Sequence, residues 1–323
     1  MQVRKALITA AGRGARLYPA TSTVQKAMLP LIDRDGVAKP VIQIIAEEAL
    51  ASGIEEICIL CAPGDEEQYL AQFGLLRESL LAAHQRGSWA EAQADRIGDL
   101  LARLHFAVQE EPRGYGHAVY CGRHFVGSEP FMLLLGDHLY VPRENGTHCA
   151  ELAMGLATQA KCAVSTVQST REHLIGNYGT LAGAHVPDLP GVYQIERIVE
   201  KPSVSLAELE LQTPGLRVGH FLCLLGMHVL TPEILEILGE SIESDGGSEG
   251  EYQLTPALHE LAQRQKCLAL EVDGRWCDIG QRYGLLRTQV ALGMAGADHT
   301  EVLAAIADLL TEARLGRATE RVS

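Results

Sequence analysis

The chain has 323 residues, 47% hydrophobic and 21% charged, and 41 Asp plus Glu against 27 Lys plus Arg give a formal charge of −14. Such a length accommodates one large α/β domain or two smaller ones, and the acidic balance is the reverse of what a nucleic-acid-binding domain carries. No apolar run approaches the roughly 18 residues that suggest a membrane span, so neither nucleic acid nor membrane is an expected partner.

Met1–Lys5 leads straight into the apolar run Ala6–Ala11, which predicts a buried strand with no signal-peptide layout ahead of it; the expected location is cytoplasmic. A glycine turn follows, then a helix over Pro40–Leu50, where Val41, Ile42, Ile45, Ala46 and Ala49 recur at helical spacing. Gly53 ends that helix, and Glu56–Leu60 predicts a second strand. Residues 65–104 read as an amphipathic helical insertion, longer than a crossover needs. His105–Gln109, a helix over Gly114–Val126 and the fully apolar strand Phe131–Leu135 complete an alternation that implies a parallel sheet covered by helices on both faces.

From Lys161 the texture changes. Ala163–Gln168, Tyr178–Ala182, Val192–Glu200 and Phe221–Leu230 predict short strands in mixed or antiparallel pairing. Helices are expected near 232–239 and 254–265, with Gly246–Gly250 as a flexible loop between them. A last strand, Cys267–Val272, runs into Trp276-Cys-Asp278, and 282–317 is mainly helical. The eight cysteines stand singly in apolar contexts. Cys58 and Cys61 share one strand-like run, where period-2 alternation sends them to opposite faces, against a zinc or redox pair.

The glycine turn is the sharpest local signal. Glycines let the backbone approach a ligand and aim consecutive N–H groups at an anion, and Arg13, Arg16 and Lys26 add cations in an acidic chain. No Gly-Lys-Ser/Thr follows Gly14, which excludes a P-loop. Leu17 stands where the dinucleotide fingerprint needs its third small residue, and Asp33, at the spacing of its ribose-binding acid, lies in turn-like sequence. Ligands of open parallel sheets sit at the carboxyl ends of the strands. Three features map there: the glycine turn, Gln109–His117, and Gly136-Asp137. Asp137, emerging from a buried strand, and Asp278, behind Trp276, are the candidate ligands of a hard cation such as Mg²⁺, which takes one or two carboxylates plus phosphate oxygens and water.

These residues resemble those of the sugar-phosphate nucleotidylyltransferases. The similar segments are Ala11–Thr21, Gln25–Leu31, Pro40–Gln43, Gly114–Val119, Leu135–Asp137, Val199–Pro202, Gly250–Thr255 and Asp278–Gly280, in the family's order. The long helical insertion and Gly116-His-Ala-Val119 look most like the bacterial branch that joins UTP and glucose 1-phosphate. The resemblance implies an α/β fold: a Rossmann-like (GT-A-like), mostly parallel mixed sheet flanked by helices, with small antiparallel additions and a helical C-terminus. It further implies a nucleotidyltransferase domain over 1–290, in which residues 1–160 bind the nucleotide and residues 161–290 bind the sugar. Residues 291–323 would form a helical extension serving a homo-oligomer contact.

The implied activity is transfer of a uridylyl group from UTP to glucose 1-phosphate or a related sugar 1-phosphate, giving a UDP-sugar and pyrophosphate by Mg²⁺-assisted in-line displacement. Arg16 and the backbone of Ala11, Gly12 and Gly14 would hold the outer phosphates, and Lys26 would neutralise the reacting one. Asp137 and Asp278 would hold the metal. Gln109 and Gly114 would read the base, Gly179 and Glu200 the sugar hydroxyls, and Lys201 the sugar phosphate. His117 reads as a helix-start or packing residue. Departures from the family pattern are Ala15, Ala27, the lengthened Asp33-Arg-Asp-Gly36, Thr180 and Pro256. Two alternatives stay open: a thymidylyl or other nucleotide specificity on the same scaffold, and a catalytically silent nucleotide-sugar-binding regulatory subunit.

Overall fold

The computed structural model describes residues 1–12, 14–83, 88–142, 146–244 and 251–319. Arg13 and the Gly246–Gly250 loop named above lie outside the described residues. In chain order the first strands are β1 (Lys5–Thr9), β2 (Pro30–Ile32) and β3 (Ala38–Pro40), and the first helix is α1 (Val41–Ala51). Next come β4 (Glu56–Cys61), α2 (Asp65–Ala83), α3 (Trp89–Ala102) and β5 (Leu104–Val108). Helices α4 (Tyr115–Cys121) and α5 (Arg123–Val126) precede β6 (Phe131–Leu135), β7 (His138–Pro142) and α6 (Cys149–Ala160). The second half contributes β8 (Ala163–Arg171), β9 (Gly179–His185), β10 (Val192–Glu200), α7 (Val204–Glu210) and β11 (His220–Leu230). Helices α8 (Glu233–Ser244) and α9 (Leu254–Arg264), strands β12 (Cys267–Glu271) and β13 (Gly274–Asp278), and helices α10 (Gly284–Met294) and α11 (His299–Thr319) close the chain.

Nine strands form one mixed sheet in the order β5-β4-β1-β6-β11-β8-β12-β10-β9. The first four run parallel. From β11 onward antiparallel pairing prevails, and β8–β12 is a parallel pair within it. The antiparallel half therefore matches the parallel half in extent rather than forming a small addition. Side-chain alternation splits the apolar residues between two faces. Ile8, Ile57, Ile59, Met132 and Leu134 pack with α1 and α6 residues, while Leu7, Cys58, Leu60 and Leu133 meet Val119, Ile234, Leu238 and Leu258. Cys58 and Cys61 accordingly fall in opposite cores. All eight cysteines are free thiols.

Three local differences from the sequence reading have physical reasons. The 65–104 insertion divides into α2 and α3. The 114–126 stretch divides at Gly122, whose missing side chain makes room for Leu7; a Cβ there would lie 2.8 Å from its Cδ1. Strands β2 and β3 form a hairpin, and β7 and β13 form a separate two-stranded ribbon. Asp33 is confirmed as a turn residue: the hairpin folds Asp33 and Asp35 onto Lys39, which is 2% exposed and lies 2.7 Å and 2.8 Å from them. Among the described residues no helix is long and apolar enough to cross a membrane.

Candidate active site

The carboxylates come together through the ribbon. β6 ends at Leu135, and Gly136 lets the chain pass close to β1: its N–H donates to the Thr9 carbonyl at 2.9 Å, and a Cβ would stand 2.7 Å from that oxygen. Asp137 follows, and β7 pairs antiparallel with β13 in a register that sets His138 opposite Asp278. Asp137 Oδ1, His138 Nε2 and Asp278 Oδ1 face one another, the imidazole nitrogen 3.9 Å and 3.8 Å from the two oxygens. All three residues form a group able to hold a metal ion. Lys26 Nζ donates to Asp137 Oδ2 at 2.5 Å, with side chains only 19% and 16% exposed. Burial pushes the Asp137 carboxyl up, but its neighbours His138 and Lys26, the second donating a hydrogen bond to it, outweigh burial and hold the group below the usual carboxylate range.

The space between these groups exists because residue 280 is glycine. A Cβ there would lie 2.9 Å from Asp137 Oδ2, 3.0 Å from Asp278 Oδ1 and 3.4 Å from Lys26 Nζ. The Gly280 N–H donates to Asp278 Oδ1 at 2.7 Å and fixes its rotamer. The donor set thus leaves an opening lined by carboxylate oxygens, suited to a small hard cation.

Beside this group lies the glycine turn. Gly14 takes φ 62, a left-handed conformation that favours glycine, and its Cα approaches so closely that a Cβ would meet Lys26 Cβ at 3.3 Å. Thr21 Oγ1 donates to the Gly14 carbonyl at 3.0 Å and ties the turn shut. Ala11 and Gly12 lie on the stretch between β1 and Gly14. Arg16, in the short helical turn Ala15–Leu17, is exposed and forms no ion pair among the described residues. The turn is therefore next to Lys26, and the Arg16 guanidinium is not in contact with the carboxylates.

A third cluster surrounds Gln109. Its Nε2 lies 3.1 Å from the Gly114 carbonyl and 3.0 Å from His117 Nδ1. A carbonyl can only accept, so the amide NH₂ faces it and His117 Nδ1 accepts the second N–H. The Gln109 Oε1 is left as a hydrogen-bond acceptor. Burial, with help from the nearby Arg113 charge, lowers the His117 pKa and favours the neutral ring this arrangement needs. Gly114, at φ 97, packs against the Tyr252 backbone, and the Gly116 N–H donates to the Tyr252 carbonyl at 2.7 Å.

The fourth cluster holds Gly179, Glu200 and Lys201. Thr255 Oγ1 donates to Glu200 Oε2 at 2.6 Å, and a Cβ on Gly179 would stand 3.0 Å from the same hydroxyl. Lys201 Nζ lies 3.2 Å from Glu200 Oε1, and Lys201 itself takes φ 44, an uncommon conformation for a residue with a side chain. Trp276 links this cluster to the carboxylates: its ring meets Tyr178 edge-on at 5.1 Å and His138 edge-on at 4.8 Å. His138, Thr255 and Gly280 received no role from the sequence. Thr255 and Gly280 stood in recognised motifs, but nothing local marked His138.

A glycine turn beside a lysine, two aspartates brought together at strand ends and a buried amide beyond β5 are features of a nucleotide-handling transferase. The chain belongs to the nucleotidyl transferase family, whose model matches residues 5–293. It is similar to the UTP–glucose-1-phosphate uridylyltransferase of Bacillus subtilis, 33% identical over 295 residues that cover 91% of this chain and 92% of that protein. It is also similar to UTP–glucose-1-phosphate uridylyltransferase 1 of Streptococcus pyogenes, 31% identical over 324 residues, 99% of this chain and 97% of the other. Among solved structures, UDP-glucose pyrophosphorylase complexed with UDP-glucose superposes with a TM-score of 0.71 at 26% identity, covering 89% of this chain and 97% of that one.

Proposed function

We propose that this nucleotidyltransferase transfers a uridylyl group from UTP to glucose 1-phosphate, releasing pyrophosphate and forming UDP-glucose. The observation that carries the proposal is the convergence of Lys26, Asp137 and Asp278 around the opening left by Gly280. The names of the relatives support the choice of UTP and glucose 1-phosphate.

In this scheme a phosphate oxygen of the sugar phosphate attacks the α-phosphorus of UTP. One P–O bond forms, the bond to the bridging oxygen breaks, and pyrophosphate departs with the electron pair. The nucleophile is already an anion, so no strong general base is required. The protein has to hold two mutually repelling anions in line and neutralise the growing charge. Ala11, Gly12, Gly14 and Arg16 bind the outer phosphates. Lys26 leaves Asp137 to pair with the reacting phosphate. Asp137 and Asp278 would hold Mg²⁺, which when bound would supply positive charge to the phosphoryl oxygens.

Gln109 Oε1 accepts the N3–H of the base, with Gly114 lining the same edge, and this favours uracil or thymine over cytosine, whose N3 carries no proton. Gly179, Glu200 and Lys201 receive the sugar and its phosphate, with Thr255 orienting Glu200. Cytoplasmic residence and self-association belong to the same proposal; exposed Leu303, Leu309 and Leu310 on α11 support the second, and sedimentation measures it.

A matrix of nucleoside triphosphates against sugar 1-phosphates, scored by Mg²⁺-dependent pyrophosphate release, tests activity, base and sugar together. The expected maximum is UTP with glucose 1-phosphate. A maximum with dTTP would move the protein to thymidylyl transfer, and no release with any pair would leave a silent nucleotide-sugar binder.

A further inference from the structure

The geometry points to His138 as a nitrogen ligand of the cation held by Asp137 and Asp278, which makes this a site that takes Mn²⁺ or Co²⁺ by nitrogen as well as oxygen coordination. The inference rests on the assignment of a divalent cation to these carboxylates.

Asp137, His138 and Asp278 each offer one ligand atom, all within 4.8 Å of one another, and His138 Nε2 faces Asp137 Oδ1 and Asp278 Oδ1. Ligands about 2.1 Å from one small cation lie at most about 4.2 Å apart. The imidazole nitrogen already meets that limit with both oxygens, at 3.9 Å and 3.8 Å. The other Asp137 oxygen is occupied by Lys26, so the pair uses different faces of one carboxylate.

The second ring nitrogen has two neighbours. The Trp276 indole N–H donates to His138 Nδ1 at 3.3 Å, and the Leu225 carbonyl lies 3.1 Å from the same nitrogen. An indole N–H can only donate and a carbonyl can only accept, so the two favour opposite tautomers. A proton on Nε2 would find its nearest carboxylate oxygens beyond hydrogen-bond length. In the cation-bound form Nε2 would turn its lone pair to the metal, and Nδ1–H would donate to the Leu225 carbonyl in place of the Trp276 bond, the anchor a metal-ligating histidine usually has.

The backbone makes room for the anchor. At the irregularity in β11 between Leu224 and His228, Gly226 takes φ 78, and a Cβ there would lie 3.1 Å from His138 Nδ1 and 2.1 Å from Leu135 Cδ1. Only glycine lets the Leu225 carbonyl approach the ring. Carboxylate and water suit Mg²⁺, whereas imidazole adds affinity for Mn²⁺, Co²⁺ and Zn²⁺.

Mn²⁺ alone, added to the full chain, is the probe. Pulsed electron paramagnetic resonance on the bound ion detects a directly coordinated imidazole nitrogen, and labelling the histidines with ¹⁵N changes that coupling. The expected spectrum shows one histidine nitrogen in wild type and none in His138→Gln or His138→Asn. The Mn²⁺ affinity of the variants should fall about tenfold, with a smaller change for Mg²⁺. The labelled wild-type spectrum decides the matter even if both variants fail to fold. Bound Mn²⁺ without a histidine nitrogen, or no bound Mn²⁺, overturns the assignment. Nitrogen coupling in a protein that releases no pyrophosphate would uphold the ligand and defeat uridylyl transfer, whereas transfer without coupling does the reverse.

Discussion

Lys26 and Asp137 stand 111 positions apart in the chain, yet the ammonium lies 2.5 Å from the carboxylate. The pair balances charge in the crevice and leaves Asp137 ionised. In the proposed reaction Lys26 exchanges this partner for a phosphate, so each member has a task that outlasts their contact.

Removing one member separates these tasks. Lys26→Met should lower stability by about 2 kcal/mol, because Asp137 loses its charge-assisted hydrogen bond. It should also slow pyrophosphate release about a hundred- to a thousandfold. Adding Asp137→Asn should recover much of the stability and none of the rate. Denaturant midpoints and pyrophosphate assays on the two single variants and the double variant measure both effects.

Gly280 is expected to be intolerant of even one methyl group. Gly280→Ala places a carbon 2.9 Å from Asp137 Oδ2 and 3.0 Å from Asp278 Oδ1, in the opening assigned to the cation. Divalent-metal affinity by calorimetry should fall about tenfold, while the unfolding midpoint moves little. Unchanged affinity would remove the cation from this opening.

His117 is expected to act through Gln109 rather than on the reacting phosphates. Its Nδ1 accepts one of the two hydrogen bonds that fix the amide. His117→Leu should raise the KM for UTP about three- to tenfold, the worth of one hydrogen bond, with kcat nearly unchanged. Discrimination against CTP should weaken in parallel. A loss confined to kcat would make His117 a participant in the chemistry instead.

Acid should destabilise the protein through His228, which is 1% exposed and 2.8 Å from Ser165 Oγ. Burial lowers its pKa from 6.5 to about 4. Between those values the unfolded chain binds a proton that the folded chain refuses, so this group's contribution to stability is constant above pH 6.5 and declines as pH falls toward 4. The full loss is about 3 kcal/mol. The difference in unfolding free energy between wild type and His228→Gln, followed from pH 7.5 to about 4, should show this slope and flatten above 6.5.

Much of this arrangement could be read locally. Ala6–Ala11 breaks into a glycine turn, and five apolar residues run into Gly136-Asp137, so composition alone marked two edges of the crevice. Helix α1 was equally visible, because Ile42, Ile45, Ala46 and Ala49 recur on one buried face. The β7–β13 ribbon was not. Its strands have five residues each and pair across a wide gap in sequence, and periodicity within either strand says nothing about that register. His138 was missed for the same reason, since its meaning comes from the residue opposite. Asp33 and Asp35 looked like turn residues that merely lengthen a loop; their role toward buried Lys39 needed the hairpin to be closed.

The measurement closest to the central claim is product formation from UTP and glucose 1-phosphate, with UDP-glucose identified by mass and pyrophosphate counted in the same reaction. Wild type should yield the two products in equal amounts only when a divalent cation is present, and Asp137→Asn combined with Asp278→Asn should yield neither while remaining folded. Equal turnover by the double variant, or turnover in excess chelator, would contradict the account.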